Sequence, residues 1–415
     1  MINDILNERA IKDPDKIFIT YKKQKISYAR FNDMVNSLCN SLNTKACEYV
    51  GLQIKDKLKL LIAIIALNRK KSIPIIYPNY PNIDEHINTT KISVSIKDFE
   101  VMEQNNDLKS KYVYHENDTQ IVMFTSGSSG VPKPCELTYS NFYESAKMWD
   151  KILGFHHSDV YLNHMPLTHV SGMCIFFRSL YYNFEMILDC FKTDAYIKHY
   201  QRISLVSMVP AMIKALHHHY PEKRPKGMKA VVVGGDDIDM TLLKIIKTKK
   251  IPAYISYGLT ESCSGIAGAW IDEFSHNLVY NAHPGVVIGS SGKALTIASS
   301  TIIKKYFNLD KPLNNKLITS DCIEVVEKNK FKFTKRLDDI VISGGENISL
   351  QYIKKHLLKY DGINSCDIEI IQHNRWGRAI HAVLSVNKNI DKQKFYKRLK
   401  QMLPSHMIPK KITMR

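Results

Sequence analysis

The chain has 415 residues, of which 44% are hydrophobic, so it is long enough to form more than one domain with a sizeable core. Its longest strictly apolar run, residues 60–67, is far too short to cross a bilayer, and the N-terminal residues lack the charged and then apolar pattern of a signal peptide. We therefore expect a cytoplasmic protein with no transmembrane segment. The eight cysteines are scattered without a Cys-x-x-Cys pair, which argues against a zinc site or a disulfide framework and predicts free, buried thiols.

The formal net charge of +18 raises the question of a nucleic-acid partner. The lysines are dispersed along the chain, and no nucleic-acid-binding module surrounds them. An anionic small-molecule substrate needs only a local positive field, so we expect no nucleic-acid partner.

The first 120 residues alternate helical and strand patterns. Residues 28–42 have apolar positions at helical spacing, and residues 75–77 form a short apolar run between two prolines. This alternation predicts an α/β architecture.

Residues 121–133, IVMFTSGSSGVPK, combine a predicted buried strand with a glycine-rich loop. Small residues let the backbone turn tightly and expose its N–H groups, and Lys133 supplies a positive charge, which together suit a polyphosphate. A flexible linker is the alternative, but a linker needs neither the preceding strand nor the lysine. A Walker loop is excluded because only two residues separate Gly127 from Gly130 and Lys133 follows a proline.

The loop resembles the signature of the adenylate-forming superfamily, which includes acyl-CoA synthetases, luciferases and adenylation domains. The chain matches the pattern Ser/Thr-Ser-Gly-Ser/Thr-Thr/Ser-Gly-x-Pro-Lys-Gly at every position except the last, where Pro134 replaces glycine. The resemblance implies an α/β fold with a large multi-sheet N-terminal domain and a small α+β C-terminal domain. It also implies that the loop binds ATP through Thr125, Ser126, Gly127, Ser128, Ser129, Gly130 and Lys133. Lys133 is implied to be catalytic as well.

Beyond the loop, Ser140 is a predicted N-cap of a helix that ends near Leu153. In isolation His169 would be a core histidine, but its Pro-Leu-Thr-His-Val-Ser-Gly setting resembles a superfamily segment at the wall between acyl pocket and thiol channel. The resemblance implies that His169 has a catalytic, substrate-gating role. Residues 204–209 predict a further buried strand, and the three histidines 217–219 cannot converge on one metal because successive helical residues point about 100° apart.

Two further strands end in polar, glycine-containing turns. Residues 230–233 run into Gly234, Gly235 and Asp236, and residues 253–256 run into Tyr-Gly-Leu-Thr-Glu. Strand ends of this kind form a crevice at the carboxyl edge of an open α/β sheet, where ligands usually bind. The resemblance implies that the first turn faces adenine, that Tyr257 stacks on adenine, that Thr260 faces phosphate and that Glu261 binds Mg²⁺. The implied nucleotide-binding and catalytic set in the second segment is Ser256, Tyr257, Gly258, Leu259, Thr260 and Glu261.

The C-terminal third continues the resemblance. Asp321 corresponds to the superfamily carboxylate that holds the ribose hydroxyls, and a carboxylate is suited to accept two hydroxyl protons. Arg336 is implied to contact ribose or phosphate, and Asp338 is implied to be a hinge. Gly344 and Gly345 are implied to line the CoA channel. The expected domains are therefore residues 1–336, which bind AMP and the acyl group, and residues 337–415, a small mobile domain.

In the superfamily a Gly-Lys pair follows the Met-Ile-Pro segment, and its lysine stabilises charge in the adenylation transition state. Lys410 and Lys411 precede that position and the sequence ends at Arg415, so we expect a shortened small domain and place adenylation in doubt.

The predicted function is an ATP-dependent acid–CoA ligase that uses Mg²⁺ and forms an acyl-adenylate and then a thioester with CoA. Segments 165–172, 256–264 and 342–348 are similar to those of bacterial 2-succinylbenzoate-CoA ligases of menaquinone biosynthesis. Two alternatives stay open at this point: a fatty acyl-CoA ligase, and a nucleotide-binding homologue that does not adenylate.

Overall fold

The computed structural model describes residues 1–79, 83–103, 112–125, 132–221, 224–236, 238–271, 278–336, 340–343, 346–373, 377–388 and 390–415. Several predicted site residues lie outside the described residues: Ser126, Gly127, Ser128, Ser129, Gly130, Asp338, Gly344 and Gly345. The observed elements confirm the predicted α/β class, with a large multi-sheet part and a small C-terminal sheet.

The strands, in chain order, are Ile2–Asn3 (β1), Ile17–Tyr21 (β2), Gln24–Ser27 (β3), Tyr49–Leu52 (β4), Ile73–Ile76 (β5), Val94–Ile96 (β6), Val113–Tyr114 (β7), Thr119–Thr125 (β8), Lys133–Thr138 (β9), Val160–Asn163 (β10), Glu185–Leu188 (β11), Leu205–Met208 (β12), Ala230–Val233 (β13), Ala253–Leu259 (β14), Ser264–Trp270 (β15), Tyr280–Ala282 (β16), Val287–Ser291 (β17), Ala294–Ala298 (β18), Lys305–Tyr306 (β19), Lys316–Glu327 (β20), Lys330–Arg336 (β21), Ile340–Ser343 (β22), Glu346–Ser349 (β23), Ile363–His373 (β24), Gly377–Val386 (β25) and Lys411–Met414 (β26).

The helices are Ile5–Lys12 (α1), Tyr28–Ser41 (α2), Lys57–Arg69 (α3), Ile83–Thr90 (α4), Tyr139–Leu153 (α5), Val170–Tyr182 (α6), Thr193–Tyr200 (α7), Pro210–Leu216 (α8), Met240–Thr248 (α9), Leu350–Leu357 (α10) and Lys392–Met402 (α11). A 3₁₀ turn, Thr260–Ser262, follows β14 directly.

Two large sheets carry the N-terminal part of the chain. Among the described residues, one sheet has thirteen strands in the order β17-β18-β20-β21-β16-β15-β14-β13-β12-β10-β11-β2-β3, and the other has six in the order β19-β9-β8-β5-β4-β6. Strands β11, β10, β12, β13 and β14 run parallel to one another, so their carboxyl ends meet along one edge. Parallel strands covered on both faces are expected to be continuously apolar, and β13 is buried at all four positions.

Helix α3 contributes many buried apolar residues to the large core. Helix α3 contains the apolar run 60–67, which is buried throughout, and the side chain of Asp56 caps its first turn by accepting from two backbone N–H groups. No helix in the described part of the chain is both long and apolar enough to span a membrane. The long apolar run therefore belongs to the core.

Three local predictions need correction. The N-cap of α5 is Thr138 rather than Ser140, because the Thr138 side chain and Asn141 cap each other reciprocally. Strand β14 extends to Leu259 rather than ending at Ser256, because antiparallel pairing with β15 continues to its end. All eight cysteines are free, as predicted, but Cys47 and Cys190 are exposed because both lie in loops outside the two sheets.

A separate hydrophobic core lies at the C-terminal end of the chain. Its buried residues run from Ile348 to Met407, and its sheet is formed by β24, β25 and β26. We call this unit the C-terminal core. The domain boundary after Arg336 stays a prediction.

Candidate active site

A cavity of about 830 Å³ lies at the carboxyl ends of β8, β12, β13 and β14. Both large sheets line it, and the C-terminal core contributes Tyr352, Arg378 and His406. The predicted site residues that line this cavity are Thr125, Lys133, His169, Gly234, Gly235, Asp236, Ser256, Tyr257, Gly258, Leu259, Thr260, Glu261, Asp321 and Arg336. The fold thus brings together every predicted site residue that the structure describes.

The two glycines after β13 are required by the backbone. Gly235 has φ of 79°, a left-handed conformation that a side chain disfavours. A Cβ on Gly234 would lie 2.8 Å from the backbone oxygen of Ser256, so glycine lets the end of β13 approach β14. This close approach forms one wall of the cavity.

The carboxylate of Asp321 and the guanidinium of Arg336 form an ion pair in the lining of the cavity. Asp321 and Arg336 are directly opposite on β20 and β21, and Nη1 of Arg336 lies 2.9 Å from Oδ1 of Asp321. The hydroxyl of Tyr257 donates to the other carboxylate oxygen. Burial, followed by the negative charge of Asp321, holds the pKa of Tyr257 well above its usual value, so the phenol keeps its proton. The carboxylate of Asp321 is therefore held in position by two partners.

Glu261 lies at the centre of the cavity with positive groups around it. The hydroxyl of Tyr306 donates to its carboxylate at 3.1 Å, and the charges of Lys133 and Arg336 are close enough to favour its ionised form. Burial is the largest effect, and it raises the pKa of Glu261 above the ordinary value. Thr125 and Lys133 are opposite each other at the base of the β8–β9 hairpin, which holds the glycine-rich loop.

The donor set fits Mg²⁺ held jointly with phosphate. Among the described residues, no group of three metal-binding side chains is present, so a cage made of protein ligands alone is not indicated there. Mg²⁺ is usually bound through one or two carboxylates together with substrate phosphates, and Glu261 beside Lys133 supplies that combination. Glu261 is thus the carboxylate in this cavity that suits the predicted metal role.

Helix α6 and its N-cap residue contribute polar side chains to the lining of the cavity. His169 is the N-cap residue of α6 and lines the cavity. Nine residues further on, Arg178 is only 2% exposed, and its guanidinium lies over the ring of Trp149 at 4.6 Å. Nη2 of Arg178 donates to Oγ of Ser264 at 3.1 Å.

The Arg178 guanidinium has no carboxylate partner among the residues that the structure describes, and its Nε has no hydrogen-bond acceptor there. A buried cation without a counter-ion is costly, so the deep end of this cavity is electrostatically suited to an anionic ligand group.

Four residues around the Arg178 guanidinium were not predicted from the sequence to line the cavity: Trp149, Arg178, Ser264 and Gly265. One signal was available, since Arg178 interrupts the otherwise apolar stretch of α6, where a buried charge needs a reason. Trp149 and Gly265 carry no comparable signal because ordinary core packing uses both residue types.

The fold and the cavity define a class: an adenylate-forming α/β protein whose large sheets and C-terminal core line a shared cavity. Within that class the chain belongs to the family of AMP-binding enzymes, whose family model matches residues 83–303, just over half of the chain. It is 25% identical to a 2-succinylbenzoate–CoA ligase of Bacillus licheniformis over 98% of this chain and 94% of that protein.

Solved structures of o-succinylbenzoate CoA synthetase from Bacillus subtilis share the fold. A doubly substituted form bound with its product analogue gives a TM-score of 0.88 at 21% identity, covering 100% of this chain and 95% of that chain. The same enzyme in complex with its acyl-adenylate intermediate gives 0.73 with the same identity and coverage.

Proposed function

We propose that this chain is an ATP-dependent 2-succinylbenzoate–CoA ligase. The observation that carries the proposal is the buried guanidinium of Arg178, which lines the same cavity as Lys133 and Glu261. 2-Succinylbenzoate has two carboxylates and an aromatic ring. One carboxylate reacts with ATP, and the other is placed to pair with Arg178 beside Trp149. A fatty acid has nothing to neutralise this cation, which disfavours the fatty acyl-CoA ligase alternative. The names of the relatives support the same substrate.

The nucleotide is held by other residues that line this cavity. The carboxylate of Asp321 accepts hydrogen bonds from the ribose hydroxyls, and Arg336 holds Asp321 in place. Tyr257 and the Gly234–Gly235 turn cover adenine. Lys133, Thr260 and the loop from Thr125 hold the phosphates. Glu261 together with the phosphates would hold Mg²⁺, which would neutralise part of the phosphate charge.

Two steps follow from this placement. A substrate carboxylate oxygen attacks the α-phosphorus, the bond to pyrophosphate breaks, and an acyl-adenylate forms. Lys133 lowers the barrier by stabilising charge that develops on the phosphates, and the site contributes mainly through positioning. The CoA thiol then attacks the adenylate carbonyl, the C–S bond forms, AMP leaves and the thiol proton passes to solvent. His169 stands at the wall between the two substrates. We place the reaction in the cytoplasm.

The test is acid-dependent ATP–pyrophosphate exchange with 2-succinylbenzoate, with 4-oxo-4-phenylbutanoate, which lacks the ring carboxylate, and with fatty acids of several lengths. We expect exchange with 2-succinylbenzoate and its loss in Lys133→Ala. A charge-assisted hydrogen bond contributes about 1.5–3 kcal/mol, so Arg178→Met should lower exchange with 2-succinylbenzoate by roughly 10- to 150-fold.

The matched substrate separates binding of the second carboxylate from damage to the fold. Exchange with 4-oxo-4-phenylbutanoate should be weak in the natural protein and should not fall further in Arg178→Met. Exchange with fatty acids alone would overturn the proposal, and ATP binding without exchange for any acid would favour the nucleotide-binding homologue.

A further inference from the structure

The carboxylate of Glu85 joins the large N-terminal part of the chain to the C-terminal core. Glu85 lies on α4 beside the cavity and accepts a hydrogen bond from the phenol of Tyr352 on α10. The same carboxylate lies 3.3 Å from Nε2 of His356, one turn further along α10. Tyr352 and His356 are both buried, with their ring centroids 4.2 Å apart, so neither donor is a freely moving surface group.

The hydrogen bonds of His356 fix the orientation of its imidazole ring. Nδ1 of His356 lies 2.9 Å from the backbone oxygen of Tyr352, and a carbonyl oxygen can only accept, so Nδ1 carries hydrogen. Nε2 faces a carboxylate, which also accepts. The imidazole of His356 is therefore held between the backbone oxygen of Tyr352 and the carboxylate of Glu85.

Helix α4, which carries Glu85, also packs against the strand that leads into the glycine-rich loop. The next residue on α4, His86, is buried with its ring edge-on to Phe124 at 4.8 Å. Phe124 lies on β8 immediately before Thr125, where the glycine-rich loop begins. Glu85 thus ties the C-terminal core to the helix that packs on the phosphate-binding strand.

The two forms of the B. subtilis enzyme differ in how well they superpose on this chain. The product-analogue complex gives a TM-score of 0.88 and the acyl-adenylate complex 0.73, although identity and coverage are the same. The arrangement that contains the Glu85 contact is therefore closer to that of the product-analogue complex.

We propose that Glu85 is a positioning residue that holds the C-terminal core in the arrangement for thioester formation, the second step of the proposed function, on which this inference rests. Adenylation takes place in a different arrangement and does not depend on the contact. Removing the carboxylate charge therefore slows acyl transfer from adenylate to CoA and spares acyl-adenylate formation.

The test measures the two half-reactions separately in the full chain. ATP–pyrophosphate exchange with 2-succinylbenzoate reports adenylation, and single-turnover thioester formation from supplied 2-succinylbenzoyl-AMP and CoA reports transfer. Glu85→Gln keeps the shape and removes the charge, and Tyr352→Phe removes one hydrogen bond. Asp84→Asn is the matched control, because Asp84 is the preceding acidic residue on α4 and is exposed.

Thioester formation should fall about tenfold in Glu85→Gln, the loss expected for a charge-assisted hydrogen bond, and by less in Tyr352→Phe, while exchange does not fall in either. Asp84→Asn should match the natural protein in both. Unchanged transfer in Glu85→Gln overturns the proposal, and so does a parallel fall in both half-reactions, which would indicate a general structural role.

Small-angle X-ray scattering of the ligand-free chain gives an outcome that is independent of the substrate. We expect the natural protein and Asp84→Asn to match the curve calculated from this structure and Glu85→Gln to depart from it. Identical curves for all three proteins overturn the proposal that Glu85 holds the C-terminal core in this arrangement. If the natural protein shows neither half-reaction with 2-succinylbenzoate, the proposed function fails, and the scattering result still decides the role of Glu85.

Discussion

The guanidinium of Arg178 stacks on the indole of Trp149, with 4.6 Å between the guanidinium carbon and the ring. This stacking and the bond to Ser264 hold the cation in one orientation before a ligand arrives. Preorganisation of this kind reduces the cost of binding an anionic group. Under the proposed function we therefore expect the neighbours of Trp149 to affect acid binding as well as core packing.

Substitution of Gly265 tests this expectation. A Cβ at this position would lie 2.6 Å from Cζ2 of Trp149 and 2.2 Å from Oγ of Ser256, so Gly265→Ala must displace the indole. Overpacking costs about 1–3 kcal/mol, and we expect the KM for 2-succinylbenzoate to rise roughly tenfold, with a smaller change for ATP. Gly227→Ala is the control, because a Cβ there meets nothing within 4 Å. Equal KM values for the two variants would contradict the role of Trp149.

Asp321 is the predicted ribose ligand, and its neutralisation tests the nucleotide end. In Asp321→Asn both the acceptor charge and the pairing with Arg336 are lost, so we expect the Kd for ATP to rise about 10- to 100-fold, consistent with the loss of charge-assisted hydrogen bonds. Glu324 lies on the same strand and is exposed, so Glu324→Gln should leave ATP binding unchanged. Isothermal titration with ATP and Mg²⁺ measures both, and intact affinity in Asp321→Asn would remove Asp321 from the site.

Glu261 should govern the response to Mg²⁺. The Glu261→Gln variant keeps the shape but loses the charge, so pyrophosphate exchange should need a higher Mg²⁺ concentration for half-maximal rate. Burial raises the pKa of Glu261. As the pH is lowered, the exchange rate of the natural protein should therefore begin to fall at a higher pH than it would with an exposed carboxylate. Tyr306→Phe removes a donor to the ionised form and should move this fall to still higher pH. An unchanged Mg²⁺ requirement in Glu261→Gln would contradict the assignment.

His283, buried below Trp149, should make the fold sensitive to acid. Burial, followed by the charge of Arg178, lowers the pKa of His283 to about 3 from 6.5. Since the folded pKa is below the unfolded one, its contribution to stability is complete above pH 6.5 and is lost as pH falls below that value. Between pH 7 and 5 this single group should cost about 2 kcal/mol. Urea unfolding at the two pH values measures the loss, which should be smaller in His283→Asn by that amount. Equal losses in both proteins would show that His283 titrates normally.

The predictable and unpredictable parts of the site differ in physical origin. Strand ends such as Gly234–Gly235 and polar residues such as Asp321 follow from local sequence, because special backbone angles and buried charges leave few residue choices. The pairing of Tyr257 with Asp321 does not, since it joins two strands that are 64 residues apart in the chain. The N-cap of α5 was missed by two residues because Thr138, Ser140 and Asn141 all suit a cap and only the geometry distinguishes them.

The acid end of the site was missed for a different reason. Trp149, Arg178 and Gly265 lie on α5, α6 and β15, and nothing local marks them as neighbours. Glu85 was missed too, because an acidic residue in the first turn of a helix is ordinary helix chemistry. Its partners on α10 are more than 260 residues away in sequence.

Helix α6 also fixes the distance between two side chains that line the cavity. His169 at its N-terminus and Arg178 on its buried face are separated by nine residues, or about 14 Å of helical rise. The distance between these two cavity-lining side chains is thus set by a count of residues along one helix. Insertion of a single residue between them would turn Arg178 by about 100° relative to His169 and would take its guanidinium away from Trp149 and Ser264.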